Sequence, residues 1–309
     1  MLNWLVVGIG DITTRRVIPA IQEEPRSHLY GVVTRNPARG APFAEHIWSD
    51  LDAALSDSNI DAVYVATPVA LHAPQTIASL RAGKHVLCEK PIAMNYGEAS
   101  AMVEEARHCG RVLGAAYYRR TYPKVQRAKQ LIAQGAIGQP VLAEANHHSV
   151  LPAQGSFRSW LIDLKLAGGG PLFDVASHRI DLFNFFFGTP KRVTGQLSNA
   201  VLKLDVEDNA TALIEYESGV RGIVDVRWHS KVVRDQFRII GTEGEIDLNP
   251  LSGPELSYPG GRELLPTHAN IHFPCVQNSV NSVLDGEELI SSGESAIWTD
   301  WITERVCRT

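Results

Sequence analysis

Residue types suited to proton transfer fall in two places: Lys90, in the run Cys88-Glu89-Lys90-Pro91, and Asp174, His178 and Asp181, in the run from Gly168 to Asp181. Asp174 and His178 stand four apart and His178 and Asp181 three apart, so a regular helix would carry all three on one face. A carboxylate one turn from an imidazole can fix its tautomer and raise its basicity, as a general base requires. The same spacing also suits a capped helix whose histidine packs in an interior. Lys90, held by the following proline, could equally be a surface lysine at a helix start.

A second group suits a dinucleotide. Gly8-Ile9-Gly10-Asp11-Ile12-Thr13 follows the apolar run WLVVG and opens a helix. Gly8 permits a tight turn, Gly10 lets the backbone approach a pyrophosphate, and the helix N-terminus offers N–H groups and positive dipole. Thr13 stands where such fingerprints carry a third glycine, which weakens the match. After the second strand the chain reads Thr34-Arg35-Asn36, with no carboxylate to accept from a ribose 2′-hydroxyl. A threonine hydroxyl and a planar guanidinium suit a 2′-phosphate instead. NADP(H) is therefore expected over NAD(H).

The elements that must position these residues alternate at first. Strands are predicted at 4–8, 29–33, 61–67, 84–89 and 111–118, with helices over 12–23, 70–82 and 95–108. That alternation predicts a parallel sheet buried on both faces. A glycine-stopped helix follows at about 124–138. From 190 to 250 strands run without intervening helices, with Glu217-Ser218-Gly219 as a hairpin turn. Further helices are predicted at about 172–187, 271–285 and 294–307. The fold class is an α/β Rossmann domain, 1–120, followed by an α+β domain with a large, mostly antiparallel open sheet, 121–309.

Composition narrows the class. Of 309 residues 44% are hydrophobic and 20% charged, and the net charge is −5. This is an ordinary globular balance, and it argues against nucleic acid as the main partner. No run of 18 apolar residues exists, so no membrane span is expected. The four cysteines are far apart with no C-x-x-C pair, which suits a reducing compartment. The start MLNWLVVGIGD lacks the features of a signal peptide, and a cytoplasmic location is expected.

The markers GIGDI, DAVYVATPVALH, AGKHVLCEKP, YYRRTYP, GAIGQPV and AGGGPLFDVASHRIDL together resemble the Gfo/Idh/MocA oxidoreductases, which include glucose–fructose oxidoreductase and inositol dehydrogenase. The resemblance runs through nearly the whole chain. It implies that Lys90 and His178 act in proton transfer and substrate binding with Asp174 beside them. It also implies that Gly8, Gly10, Asp11, Ile12, Thr34, Arg35, Thr67, Pro68, His72, Glu89 and Lys90 line the cofactor. The sequence departs from the family at Val69, where asparagine is common, and in its short stretch from Asn36 to Trp48.

Other residues carry two readings each. Arg120 could contact substrate or pair with an acid, and Tyr118 lies beside it at the crossover. His147 and His148 are adjacent in a strand, so they face opposite ways and cannot share a metal; His148 is taken as the one facing substrate. Arg158 and Trp160 could line a pocket. No metal site is expected. The function expected is hydride transfer between NADP(H) and a secondary alcohol or ketone of a sugar or polyol, in a cleft between the domains. The alternatives are a non-catalytic dinucleotide-binding regulator and an NAD-dependent glycosidase of the same family. The open sheet is expected to meet another subunit, giving a dimer or tetramer.

Overall fold

A computed structural model describes residues 1–151 and 159–308, which form two compact units. The first holds residues 1–118 and 268–297, the second 119–267 and 298–309. Among the described residues no helix is long and apolar enough to cross a membrane.

In the first unit β1 (Leu2–Val7), β2 (Ser27–Val33), β3 (His46–Trp48), β4 (Ala62–Val65), β5 (His85–Cys88) and β6 (Leu113–Ala115) make one sheet in the order β3-β2-β1-β4-β5-β6. Every pairing is parallel. This order reverses direction between β1 and β4, the arrangement of a dinucleotide-binding sheet. Side chains alternate between two cores. Leu5, Val7, Val63 and Val65 join one, against Met102 and Val103. Trp4, Val6, Ala62 and Tyr64 join the other, against Val17 and Ile21. Both faces are therefore dry, which is why these strands read as continuous apolar runs. The strand β3 was not expected: three residues, His-Ile-Trp, give too short a pattern to separate from loop.

The expected single second domain over 121–309 needs correction. Residues 268–297 belong to the first unit. The helix Phe273–Asp285 sends Cys275, Val276 and Val280 into the core around Trp4, and the backbone N–H of Ala115 donates to Ser291 O at 2.9 Å. Local periodicity predicts such a helix but carries no information about which sheet it covers.

In the second unit eight strands follow: β7 (Pro140–Val150), β8 (Pro190–Ser198), β9 (Asn209–Tyr216), β10 (Arg221–Arg227), β11 (His229–Gly241), β12 (Glu245–Asp247), β13 (Glu255–Tyr258) and β14 (Gly261–Leu264). Their order is β14-β13-β12-β11-β7-β10-β9-β8, antiparallel except for β7 with β10. The helix Ser177–Phe187 packs on one face, with Phe183 5.3 Å from Phe237 and Phe187 5.7 Å from Tyr216 between ring centres. The other face mixes polar and apolar residues. Asp225 accepts from Thr211, His148 and Arg227 there, and isolated apolar residues such as Leu213 lie among charged ones.

Lys124, on the helix Pro123–Ala133, is buried and donates to the carbonyls of Leu248 at 2.8 Å and Pro250 at 2.6 Å. It fastens the turn after β12. Burial pushes its amine down to about 8 from 10.5, although Asp235 and Glu255 pull the other way. Between those pH values the unfolded chain binds more protons than the native one, so stability rises with pH. Equilibrium unfolding of wild type and Lys124→Met across this range should show wild type gaining on the variant as pH rises. A constant or shrinking difference would contradict the buried placement.

Candidate active site

The turn after β1 is built for close backbone approach. Gly8 has φ of +96°, and a Cβ there would lie 2.9 Å from Ala66 O at the end of β4. A side chain is excluded on both counts. At Gly10 a Cβ would meet nothing within 4 Å. That open space, at the reversal of strand order, leaves backbone accessible to a pyrophosphate. Thr13 does not obstruct it. Its buried hydroxyl accepts from Gly10 N at 2.6 Å and donates to Gly10 O at 2.8 Å, fastening the loop from inside. The helix begins there with a π turn, Thr13–Val17. Asp11 pairs with Arg15 at 2.8 Å, and Ile12 is half-buried.

At the end of β2, Thr34 is buried and its hydroxyl closes a turn with Asn36 at 3.3 Å, while Arg35 is exposed. Asn36 caps the short helix Pro37–Gly40 by accepting from Ala38 N at 3.2 Å. This brings a second arginine, Arg39, onto the same loop, signalled in the sequence only by Asn-Pro at a helix start. The open space at Gly10, at the reversal of strand order, fits a dinucleotide.

Two of the residues expected to line the cofactor, His72 and Glu89, hold polar atoms inward. His72 is buried, with Nδ1 2.8 Å from Pro91 O and Nε2 2.8 Å from Thr67 O. It ties the loop after β4 to the loop after β5 and presents no ring nitrogen outward. Burial lowers its pKa, against the two carbonyls and Glu89. Glu89 is likewise turned inward, accepting from Tyr64 Oη at 2.8 Å and lying 3.2 Å from His272 Nε2. Thr67 donates to Gln75 Oε1 at 2.7 Å, Pro68 is half-buried beside it, and Val69 is buried. Lys90 is half-buried.

In the second unit the glycine run meets Glu207, which sequence reasoning missed. Its carboxylate accepts from Gly170 N at 2.7 Å and Leu172 N at 2.9 Å, capping the helix from a segment thirty-odd residues on. Burial raises its pKa, against those two bonds. A Cβ on Gly170 would lie 2.1 Å from Glu207 O. The helix opens with a π turn, Leu172–Ala176, which contains Asp174. Such a turn holds an extra residue, and it alters the regular spacing from which one common face was expected. Asp174 is half-buried, His178 is 6% exposed and Asp181 is fully buried.

Asp181 is engaged by Arg120, whose Nε and Nη2 reach its two carboxylate oxygens at 2.9 and 2.6 Å. Arg120 is therefore held by an acid. His148 is corrected too: its Nε2 is 2.7 Å from Asp225 on the sheet face away from the helix. His147 takes the helix side, where Arg179 donates to its Nδ1 at 2.9 Å. Tyr118 lies against His272 with ring centres 4.9 Å apart and planes tilted by 39°. Trp160 packs against the buried cluster of Leu161, Val206 and Trp228, and Arg158 lies outside the described residues. Among the described residues no group of three His, Cys, Asp or Glu could hold a metal.

Residues 2–117 match the model of an oxidoreductase family with an NAD-binding Rossmann fold, and residues 125–247 match the GFO/IDH/MocA C-terminal domain. The chain belongs to the Gfo/Idh/MocA oxidoreductase family. Among its Gfo/Idh/MocA relatives is 1,5-anhydro-D-fructose reductase of Ensifer adhaerens, 29% identical over 97% of this chain and 93% of that one. A D-xylose 1-dehydrogenase (NADP(+)) of Haloferax volcanii is 29% identical over 79% and 75%. A solved levoglucosan dehydrogenase, in complex with NADH and levoglucosan, aligns with a TM-score of 0.87 and 25% identity over 99% and 97%.

The two glycines separate by role. Gly170→Ala should cost about 2–4 kcal/mol of unfolding free energy, through the clash with Glu207. Gly10→Ala should leave stability within about 0.5 kcal/mol, yet weaken dinucleotide binding roughly tenfold by filling the open approach. Urea unfolding and fluorescence titration with NADPH measure the pair. Unchanged binding in Gly10→Ala would remove this turn from the cofactor site.

Proposed function

We propose that this family member transfers hydride between NADP(H) and a secondary alcohol or ketone of a sugar or polyol. The observation that carries the reading is the open Gly10 at the reversal of strand order, in a chain that keeps Lys90 after β5, Asp174 in a π turn and His178 in the helix that follows it. The sugar chemistry in the names of the relatives supports the substrate class. The nicotinamide, when bound, accepts or supplies the hydride. The chain's own task is the proton and the orientation of the substrate.

His178 is proposed to take the hydroxyl proton, because an imidazole titrates near working pH. Its burial on the capped helix fixes where the ring starts from. Asp174, one turn earlier, is proposed to orient it. Lys90 is proposed to hydrogen-bond the reacting oxygen, favouring its alkoxide character. Assays of 1,5-anhydro-D-fructose, D-xylose, levoglucosan and simple polyols against both cofactors, read at the nicotinamide absorbance, test the activity. Tight dinucleotide binding with no turnover on the whole panel would favour the regulatory alternative.

Cofactor preference is proposed to rest on the loop after β2. A charge-assisted bond from Arg35 should contribute on the order of 1.5–3 kcal/mol, or roughly tenfold to a hundredfold in affinity. Arg35→Asp should reverse the NADP preference in paired titrations. Equal binding of both cofactors by wild type would sink the assignment.

For catalysis, His178→Ala should lower kcat by roughly 10²–10⁴ with cofactor affinity nearly intact. Lys90→Met should lower kcat as well. The double variant should lose less than the product of the single losses, because both groups serve one proton transfer. The measurement is kcat across pH for each. A His178→Ala enzyme with the wild-type rate and pH profile would exclude His178 as the base.

A further inference from the structure

The buried cluster beneath Lys90 is not used by the proton transfer proposed above. Glu89 is 8% exposed, Tyr64 is fully buried and His272 is 1% exposed. Oε1 of Glu89 accepts from Tyr64 Oη at 2.8 Å and from His272 Nε2 at 3.2 Å, and Oε2 accepts from the backbone N–H of Lys90 at 3.3 Å. One carboxylate thus joins β4, the segment that returns at 268–297 and the turn that carries Lys90.

His272 has little other reason to be a histidine. Its Nδ1 is buried with no hydrogen-bond partner among the described residues, so the contact with Glu89 is what its polar edge serves. A ring serving only to pack against Tyr118 would be cheaper to bury without nitrogens. The segment is pinned as well. His272 N donates to Asn270 Oδ1 at 3.1 Å, Asn270 Nδ2 donates to Arg16 O at 2.8 Å, and Arg16 donates back to Ala269 O at 3.2 Å. His272 is therefore held from the helix that follows the dinucleotide loop.

We infer that His272 is a positioning residue: with Tyr64 it fixes the carboxylate of Glu89, and through that carboxylate the backbone at Lys90. The inference rests on the role given to Lys90 above. Burial alone would push the Glu89 carboxyl up, but the His272 contact, Tyr64 and the charge of Lys90 bring it down to about 2. The other ionisable groups nearby are His72, which feels the charge of Glu89, and the thiols of Cys88 and Cys275 beside Tyr64.

The test needs no substrate. The full chain is labelled with ¹³C at glutamate carboxyls and ¹⁵N at lysine amides. Glu89→Gln and Lys90→Met assign the two signals. In wild type both should stay flat down the folded acid range. His272→Phe should raise the Glu89 midpoint by about one unit or more, with the Lys90 amide moving at the same midpoint. His272→Gln, whose amide can still donate, should restore most of the wild-type behaviour. His272→Asn, too short to reach, gives the same reading as Phe if the Phe variant does not fold. A Lys90 amide unmoved in the Phe or Asn variant, or a Gln variant no better than these, would overturn the inference. Full activity in Lys90→Met would instead overturn the proposed function and leave the titration standing.

Discussion

At Gly8 the chain leaves β1 so close to the end of β4 that a Cβ would lie 2.9 Å from Ala66 O. The site of the first unit depends on that contact. It lets neighbouring parallel strands diverge into loops on opposite sides, which opens a crevice at their carboxyl ends. The remaining parts follow from it. Gly10 can face open space because Gly8 has turned the backbone, and Thr13 holds the loop from within. The loops after β4 and β5 must then be kept clear of the crevice and fixed. His72 does this from between them, with one ring nitrogen 2.8 Å from a carbonyl of each.

Buried polar groups recur wherever a functional segment is held. Glu207 caps the π-turn helix, Arg120 pairs with Asp181 inside the second unit, and Lys124 gathers carbonyls near β12. Exchanging a buried pair for apolar residues is often neutral for stability, so such groups are poor explanations of stability as such. What they supply is geometry. A bidentate guanidinium–carboxylate pair admits one arrangement of its two helical segments, where an apolar contact admits several.

The sequence made legible whatever depends on local spacing. Parallel sheet, glycine turn, antiparallel strands and helix positions all have periods or end signals that a short window contains, and the sheet orders agree with that reading. What stayed hidden depended on distant parts of the chain. Glu207 caps a helix that begins far before it, and His272 reaches Glu89 from nearly two hundred residues away. Nothing in either local sequence marks the partner. Spacing is also unreliable where the helix departs from 3.6 residues per turn: the π turn Leu172–Ala176 changes the offset between Asp174 and His178 from that of a regular helix. His147 and His148 were separable by face from strand alternation, but which face held the helix was not.

The return of residues 268–297 to the first unit has a consequence for how the chain acquires its form during synthesis. The core around Trp4 and Val17 is closed by Cys275, Val276 and Val280, so the unit that contains β1 is completed only after the second sheet has been made. The second unit's sheet is complete in sequence by Leu264 and can order itself while the earlier one still exposes apolar surface. The second unit in turn waits for residues 298–309, which follow the segment that closes the first. Until both arrive, the nascent sheets expose apolar surface to chaperones and to wrong partners.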